Sequence, residues 1–313
     1  MRIYNVLAIS TGTILTALLL ALSAVPQAVT PRGLKTLEKK ENTVKRNTFI
    51  DSLPRNFEFP TDDAGELLLR EYGAVYVTRG GAVPPPKILF VDEAEVLLFQ
   101  RSVESESEKI GGINIVLQKA AMRALEAAVK TAAKAGISIS PRGADSGRRG
   151  YDQTVALWKS RVGPGLIYWV GKGRLKVAEA DRIRSLPTRQ QVTEILSLER
   201  FGIFFARSLD KSIIYSVAPP GTSQHIAMLA LDVKEFNDPR VRAILADHGW
   251  FQTVVSDLPH FTFLGMKESE LPSVGLKVVR SNDRAFWIPD VGSESLQKKG
   301  PAATPTPRNR SNP

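Results

Sequence analysis

Cysteine is absent from all 313 residues, and histidine occurs only three times. The first absence excludes disulfides, thiolate metal ligands and a cysteine nucleophile, whichever compartment the chain reaches. Any bound metal must take its donors from His, Asp or Glu. Neither Gly-x-x-x-x-Gly-Lys-Ser/Thr nor His-Glu-x-x-His occurs, which removes the phosphate loop and the helical zincin signature. The stretch GKGR at 171–174 lacks the strand-to-helix setting such a loop needs. Aromatic residues make up only 7%. Tyr168, Trp169, Trp250, Phe251, Phe261 and Phe263 stand at strand-like spacing, which assigns them to the core, and Trp158 reads as a helix-to-sheet packing residue.

The body of the chain also lacks the charge excess of the whole. The net charge is +10, yet Arg2, a basic stretch from Arg32 to Arg55 and a tail beginning at Lys298 account for nine of those charges. Residues 56–297 are left at +1. A basic face for nucleic acid is therefore not expected. The charged ends read as solvated tethers that touch an anionic envelope polymer or a lipid surface.

These ends frame the organisation. Val6 to Val25 carries no charge, a run about as long as the ~20 residues a spanning helix needs. Small residues at Ala21, Ser23, Ala24 and Ala28 suit cleavage. Residues 1–28 are thus a signal peptide or an N-terminal anchor, and either one exports the chain. Residues 29–56, with Pro31, Pro54 and many charges, read as a basic linker, and 291–313 as a disordered basic tail. Between them, 57–136 read as an N-terminal extension of strand plus helix, and 137–290 as the main domain. The 43% hydrophobic content suffices for a core of that size.

Apolar residues at helical spacing predict a helix over 117–135, capped at Gly136. An apolar run followed by an amphipathic stretch marks 87–100. A short strand is expected in GISISPRG before the polar loop 142–150. Helices are expected at 151–162, 188–202 and 238–249, and strands at 211–218, 229–236, 250–256 and 260–265. Helices first and strands later predict an α+β fold: a small, mostly antiparallel sheet with helices packed on one face.

His225 and Asp232 lie seven apart. In a regular strand that odd spacing puts them on opposite faces, so they meet only if a bulge or loop intervenes. A second cluster changes their meaning. Asp257 stands three residues before His260, with Pro259 between, and Pro259 predicts an extended run into the strand at His260. Two histidines and one carboxylate leave a position open on zinc for water, and a spare carboxylate, Asp257, can move that water's proton.

SQHIAMLALD follows a Ser-x-His-x6-Asp signature and DLPHF an Asp/Glu-x-x-His signature. Together they resemble the zinc cell-wall peptidases that include D-alanyl-D-alanine carboxypeptidases and L-alanyl-D-glutamate endopeptidases. The resemblance covers roughly residues 137–265 and is closer to the endopeptidase branch. It implies Zn2+ held by His225, Asp232 and His260 on the sheet, Asp257 as general base and acid, and peptidoglycan peptides as substrate. It also implies an arginine on the substrate carbonyl, for which the loop offers Arg142, Arg148 and Arg149. Arg149 matches best in GRRGYDQ, with the spacing to Gln153 one residue short. Ser223 is expected to support the site through a hydrogen bond. His248, before Gly249, reads as a helix C-terminal residue more than as a rival ligand. Where the family carries glycine, this chain has Met228. That departure, with the basic ends, motivates a second reading: an envelope binding or scaffold protein that keeps the fold without efficient catalysis. A third, an inert body with polymer-binding ends, predicts no metal.

Overall fold

A computed structural model describes residues 48–292; the stretch read as signal peptide or anchor, most of that read as linker and nearly all of that read as tail lie outside the described residues. Eight α-helices and seven strands are assigned among them. Every strand pair is antiparallel: a three-stranded sheet and two hairpins. The fold is α+β, with the candidate site on the sheet. No helix of the described residues is long and apolar enough to cross a membrane.

Thr48–Ser52 form α1, inside the stretch read as linker, and Phe49 is fully buried. Next, α2 (Asp63–Tyr72) and α3 (Glu93–Ser102) each begin at an aspartate whose side chain accepts a backbone N–H three residues on, Asp62 from Gly65 and Asp92 from Glu95. Such caps satisfy donors that a helix start leaves unpaired. The apolar run ahead of α3 pairs only at the isolated bridge Glu58↔Lys87.

A hairpin that the periodicity did not reveal follows, β1 (Ser105–Ile110) and β2 (Ile113–Gln118). Gly111 and Gly112, at φ 54° and 86°, form its two-residue turn, where both positions need positive φ. Leu117, expected in the next helix, belongs to β2, and α4 spans Lys119–Lys134. Gln118 explains the late start. Its side chain bonds Val83 N, Val83 O and Ala227 O, and its backbone N–H reaches Met228 O, so the chain is tied into a ladder there. At the other end, Ile137 N–H bonds Ala132 O and Gly136 N–H bonds Ala133 O, a Schellman cap with Gly136 where it was expected.

GISISPRG forms no strand; Pro141 makes one isolated bridge to Val233. The helix expected over 151–162 continues as α5 (Tyr151–Gly171), past an internal Pro164. Tyr168 and Trp169 are therefore helical, and the strand-like spacing misled. Trp158 is buried in the same helix but packs on another helix, donating its indole N–H to Gln191. α6 (Val177–Ser185) had no sequence-based expectation, and α7 covers Thr188–Glu199. Residues 211–218 are not a strand: Ile213–Tyr215 make a short 3-10 turn. Glu199, at the end of α7, draws that segment in by accepting from Ile213 N and the Ser212 hydroxyl.

The central sheet is small. β3 (Ala230–Asp232), β4 (Trp250–Phe251) and β5 (His260–Phe263) lie in the order β3-β5-β4, with α8 (Pro239–Asp247) between β3 and β4 in the chain. The strands expected over 229–236 and 250–256 are thus shorter than read. β6 (Leu276–Ser281) and β7 (Arg284–Pro289) close the described chain as a second hairpin. A single cluster of buried apolar side chains runs from Phe49 to Val291.

Candidate metal centre

The antiparallel register of β3 and β5 sets Asp232 directly opposite His260. His225 reaches the same point by another route. Gln224–Ala227 turn once as a 3-10 helix, and Met228 then takes a left-handed conformation, φ 56° and ψ 31°, before β3 begins. The irregular backbone demanded by the odd spacing is this turn and its left-handed exit. Met228 occupies a position that imposes positive φ, a conformation glycine adopts without strain. Its side chain is 1% exposed and does not line the cleft.

His225, Asp232 and His260 form the group able to hold a metal ion, their donor atoms all within 4.8 Å of one another. His225 Nε2 and His260 Nδ1 each lie 3.3 Å from Asp232 Oδ1. Tetrahedral ligands at zinc's usual ~2.0–2.2 Å would stand about 3.4 Å apart, so these two separations would suit such a coordination shell.

The neighbours decide which ring nitrogens carry hydrogen. His225 Nδ1 sits 2.8 Å from the Gly147 carbonyl, a pure acceptor, so Nδ1 is the donor and Nε2 is bare. Gly147 is required for that approach, because a Cβ there would lie 2.7 Å from Val116 O. His260 Nε2 is 2.9 Å from Gln224 Oε1. The Gln224 amide is itself oriented by Nε2 donating to Tyr72 O at 2.8 Å, which leaves Oε1 as acceptor and His260 Nδ1 bare. Two bare imidazole nitrogens therefore face one carboxylate oxygen. His225 Nε2 and Asp232 Oδ1 are buried without a hydrogen-bond partner. Lone pairs converging in a buried site repel unless a cation sits between them, so this donor set fits a divalent metal.

The electrostatics agree. Burial pushes the His225 imidazole below its ordinary value and outweighs the opposing pull of Asp232, so the ring is neutral. Burial also pushes the Asp232 carboxyl up, but the two imidazoles beside it outweigh burial and hold it below the carboxylate range. Its second oxygen, Oδ2, accepts from Arg149 Nη2 at 2.6 Å.

Arg149 is held closely. Its Nε donates to Asp145 O, its backbone N–H to His225 O and its carbonyl accepts from Gln100, so the loop carrying it is pinned to the His225 turn. Arg142 differs: its backbone N–H bonds Asp232 O at 3.0 Å, but its side chain is exposed and does not line the cleft. Arg148 is exposed too. Ser223 lines the cleft, yet its hydroxyl makes no hydrogen bond among the described residues; Gln224 does the supporting instead. No residue-type signal marked Gln224, Gly147 or Gln100, whose parts depend on contacts distant in sequence. His248 follows α8, bonds Thr131 Oγ1 at 3.0 Å and takes no part in the metal group.

Beside the three donors opens a cleft of about 230 Å³, lined by Asp257, Arg149, Arg161, Tyr215 and Asp145 among others. Asp257 is exposed at its mouth. The segment ahead of β5 is a tight turn rather than an extended run. His260 N–H returns to Asp257 O at 3.1 Å, and the buried Gln252 amide bonds Leu258 O.

No family model and no curated protein matches the chain. A solved structure similar to it is that of the LdcB LD-carboxypeptidase, described as revealing the molecular basis of peptidoglycan recognition. The identity is 15% and the TM-score 0.34, over 71% of this chain and 92% of that one. So slight a likeness transfers neither branch nor activity, and the site's own geometry carries the functional reading.

Proposed function

We propose that this protein is an exported zinc peptidase that hydrolyses a peptide bond in peptidoglycan stem peptides. The observation that supports it is the convergence of two bare histidine nitrogens and an unpartnered carboxylate oxygen beside a cleft that holds a further, unpaired carboxylate. His225, Asp232 and His260 hold the ion, with Gly147 and Gln224 fixing the two rings. When bound, zinc supplies Lewis acidity, polarising a carbonyl and making water acidic enough to lose a proton near neutral pH.

The chain's own groups do the rest. Asp257 takes the proton of the attacking water as the C–O bond forms, then returns it to the amine as the C–N bond breaks. Arg149 keeps Asp232 oriented and sets a fixed positive charge at the cleft wall, where negative charge grows on the scissile carbonyl. The signatures around His225 and His260 supply the substrate class. The charge-free segment at the N-terminus fits a substrate outside the cytoplasm.

Elemental analysis together with mass analysis of digested peptidoglycan fragments tests the reading. One zinc per chain and defined peptide products are expected. Asp257→Ala should keep the zinc and lose at least about a hundredfold in turnover. Undiminished hydrolysis by that variant rules the mechanism out.

A further inference from the structure

Four charged residues line the cleft: Asp145, Arg149, Arg161 and Asp257. Arg149 is already engaged, bound to Asp232 and 3.8 Å from Asp145. Asp257 is spare and has work as the proton carrier. Arg161 is also spare, and nothing in the peptidase reading uses it.

Arg161 comes from α5, on the face shared with Thr154 and Leu157, which line the same cleft. Spacings of three and four residues put all three on one stripe of the helix. It is half-buried. Its Nε donates to Ser216 Oγ at 3.0 Å and its Nη1 to Ser160 Oγ at 2.8 Å. Both acceptors are neutral hydroxyls, so they aim the guanidinium without cancelling its charge. Among the described residues it has no acidic partner, and Nη2 donates to no protein atom. A half-desolvated guanidinium left unpaired is costly, unless a ligand completes it. Its planar fork of N–H donors matches a carboxylate.

We propose that Arg161 is the substrate-binding residue that takes a carboxylate of the stem peptide, and so decides which peptides the cleft accepts. The inference rests on the peptidase reading for its substrate class. In a stem peptide with lysine as its third residue, the form used below, the carboxylate has two sources, the C-terminus and the free carboxyl of the D-glutamate. Capture of the first makes the enzyme remove a terminal residue; capture of the second lets it cut within the chain.

The test uses a synthetic stem pentapeptide ending in D-Ala-D-Ala in three forms: the free acid, the C-terminal amide, and the form amidated at D-glutamate. Binding of each to the full-length, zinc-loaded Asp257→Ala protein is measured by calorimetry, with and without Arg161→Ala, Arg161→Gln or Arg161→Lys. One amidation should weaken binding about ten- to hundredfold, as expected for losing a charged hydrogen-bonded pair. Arg161→Ala and Arg161→Gln should abolish that preference, and Arg161→Lys should restore part of it, with zinc content unchanged throughout. The amidation that matters identifies the source. Equal affinity for all three forms, a preference that survives Arg161→Ala, or no binding of any form overturns the proposal. If the preference is present but protein with Asp257 intact turns over none of the peptides, the carboxylate site stands and the peptidase reading fails.

Discussion

Met228 sits where two opposing effects meet in one side chain. Its left-handed backbone costs about 1–2 kcal/mol in a residue with a Cβ, while its side chain is 1% exposed, and deleting a buried methionine costs roughly 2–5 kcal/mol. Burial outweighs strain, which explains how the chain tolerates methionine at a position suited to glycine. Met228→Ala and Met228→Gly should both destabilise the protein. The glycine variant should be the more stable of the two by about 1 kcal/mol, because only glycine sheds the strain. Urea unfolding of the pair measures this, and an alanine variant as stable as the glycine one would remove the strain. Zinc content should be the same in both, since the side chain does not line the cleft.

At the scale of elements, short irregular segments do the positioning, and buried side chains hold them in place. Glu199 shows how. At the end of α7 it accepts from Phe205 N, Ile213 N and the Ser212 hydroxyl, joining three stretches of chain. Burial nevertheless raises its carboxyl above the ordinary value of 4.5, with those hydrogen bonds only partly opposing it. A raised carboxyl binds its proton more tightly folded than unfolded, so it favours folding at low pH, and that contribution falls as pH rises above 4.5. Glu199→Gln keeps an oxygen for the two backbone donors and cannot ionise. Its stability relative to wild type should therefore rise as pH increases from 4 toward neutrality, followed by thermal melts across that range. A constant difference would mean that the Glu199 pKa is the same folded and unfolded.

For the whole molecule the consequence of the site is thermodynamic. A buried set of bare donors is a liability in the metal-free fold, and ligand binding to the native state alone adds stability by mass action. With free zinc at about a hundred times its Kd, the gain is about 2.7 kcal/mol, or roughly 5–10 °C in Tm for a domain of this size. Dialysis against a chelator should lower the Tm of wild type and of Asp257→Ala by similar amounts, and readdition of zinc should restore both. No shift in either would show that the three donors do not bind metal in the folded state.

Donor identities were legible early because they are a matter of chemistry: with no cysteine and three histidines, the possible ligands were few. His225, Asp232 and His260 stood out by type and order, as did the need for irregular backbone between the first two. The helix at 119–134 and its Gly136 cap were also readable, since both depend on residues close in sequence. The hairpins, the 3-10 turn at 213–215 and the true extent of α5 were not, because short strands and half-buried helices take their form from distant partners. The motif GRRGYDQ put Arg149 ahead of Arg142 and Arg148 but could not say what it meets. The fold supplies the partner, bringing Arg149 to Asp232 across 83 positions of chain. Likewise, the hydrogen atoms of both imidazoles are assigned by Gly147 and Gln224, whose roles exist only once the chain has closed around them. Sequence determined which groups were present to bind and to move a proton. Tertiary structure decided which of them meet, because hydrogen-bond direction and desolvation are properties of neighbours in space.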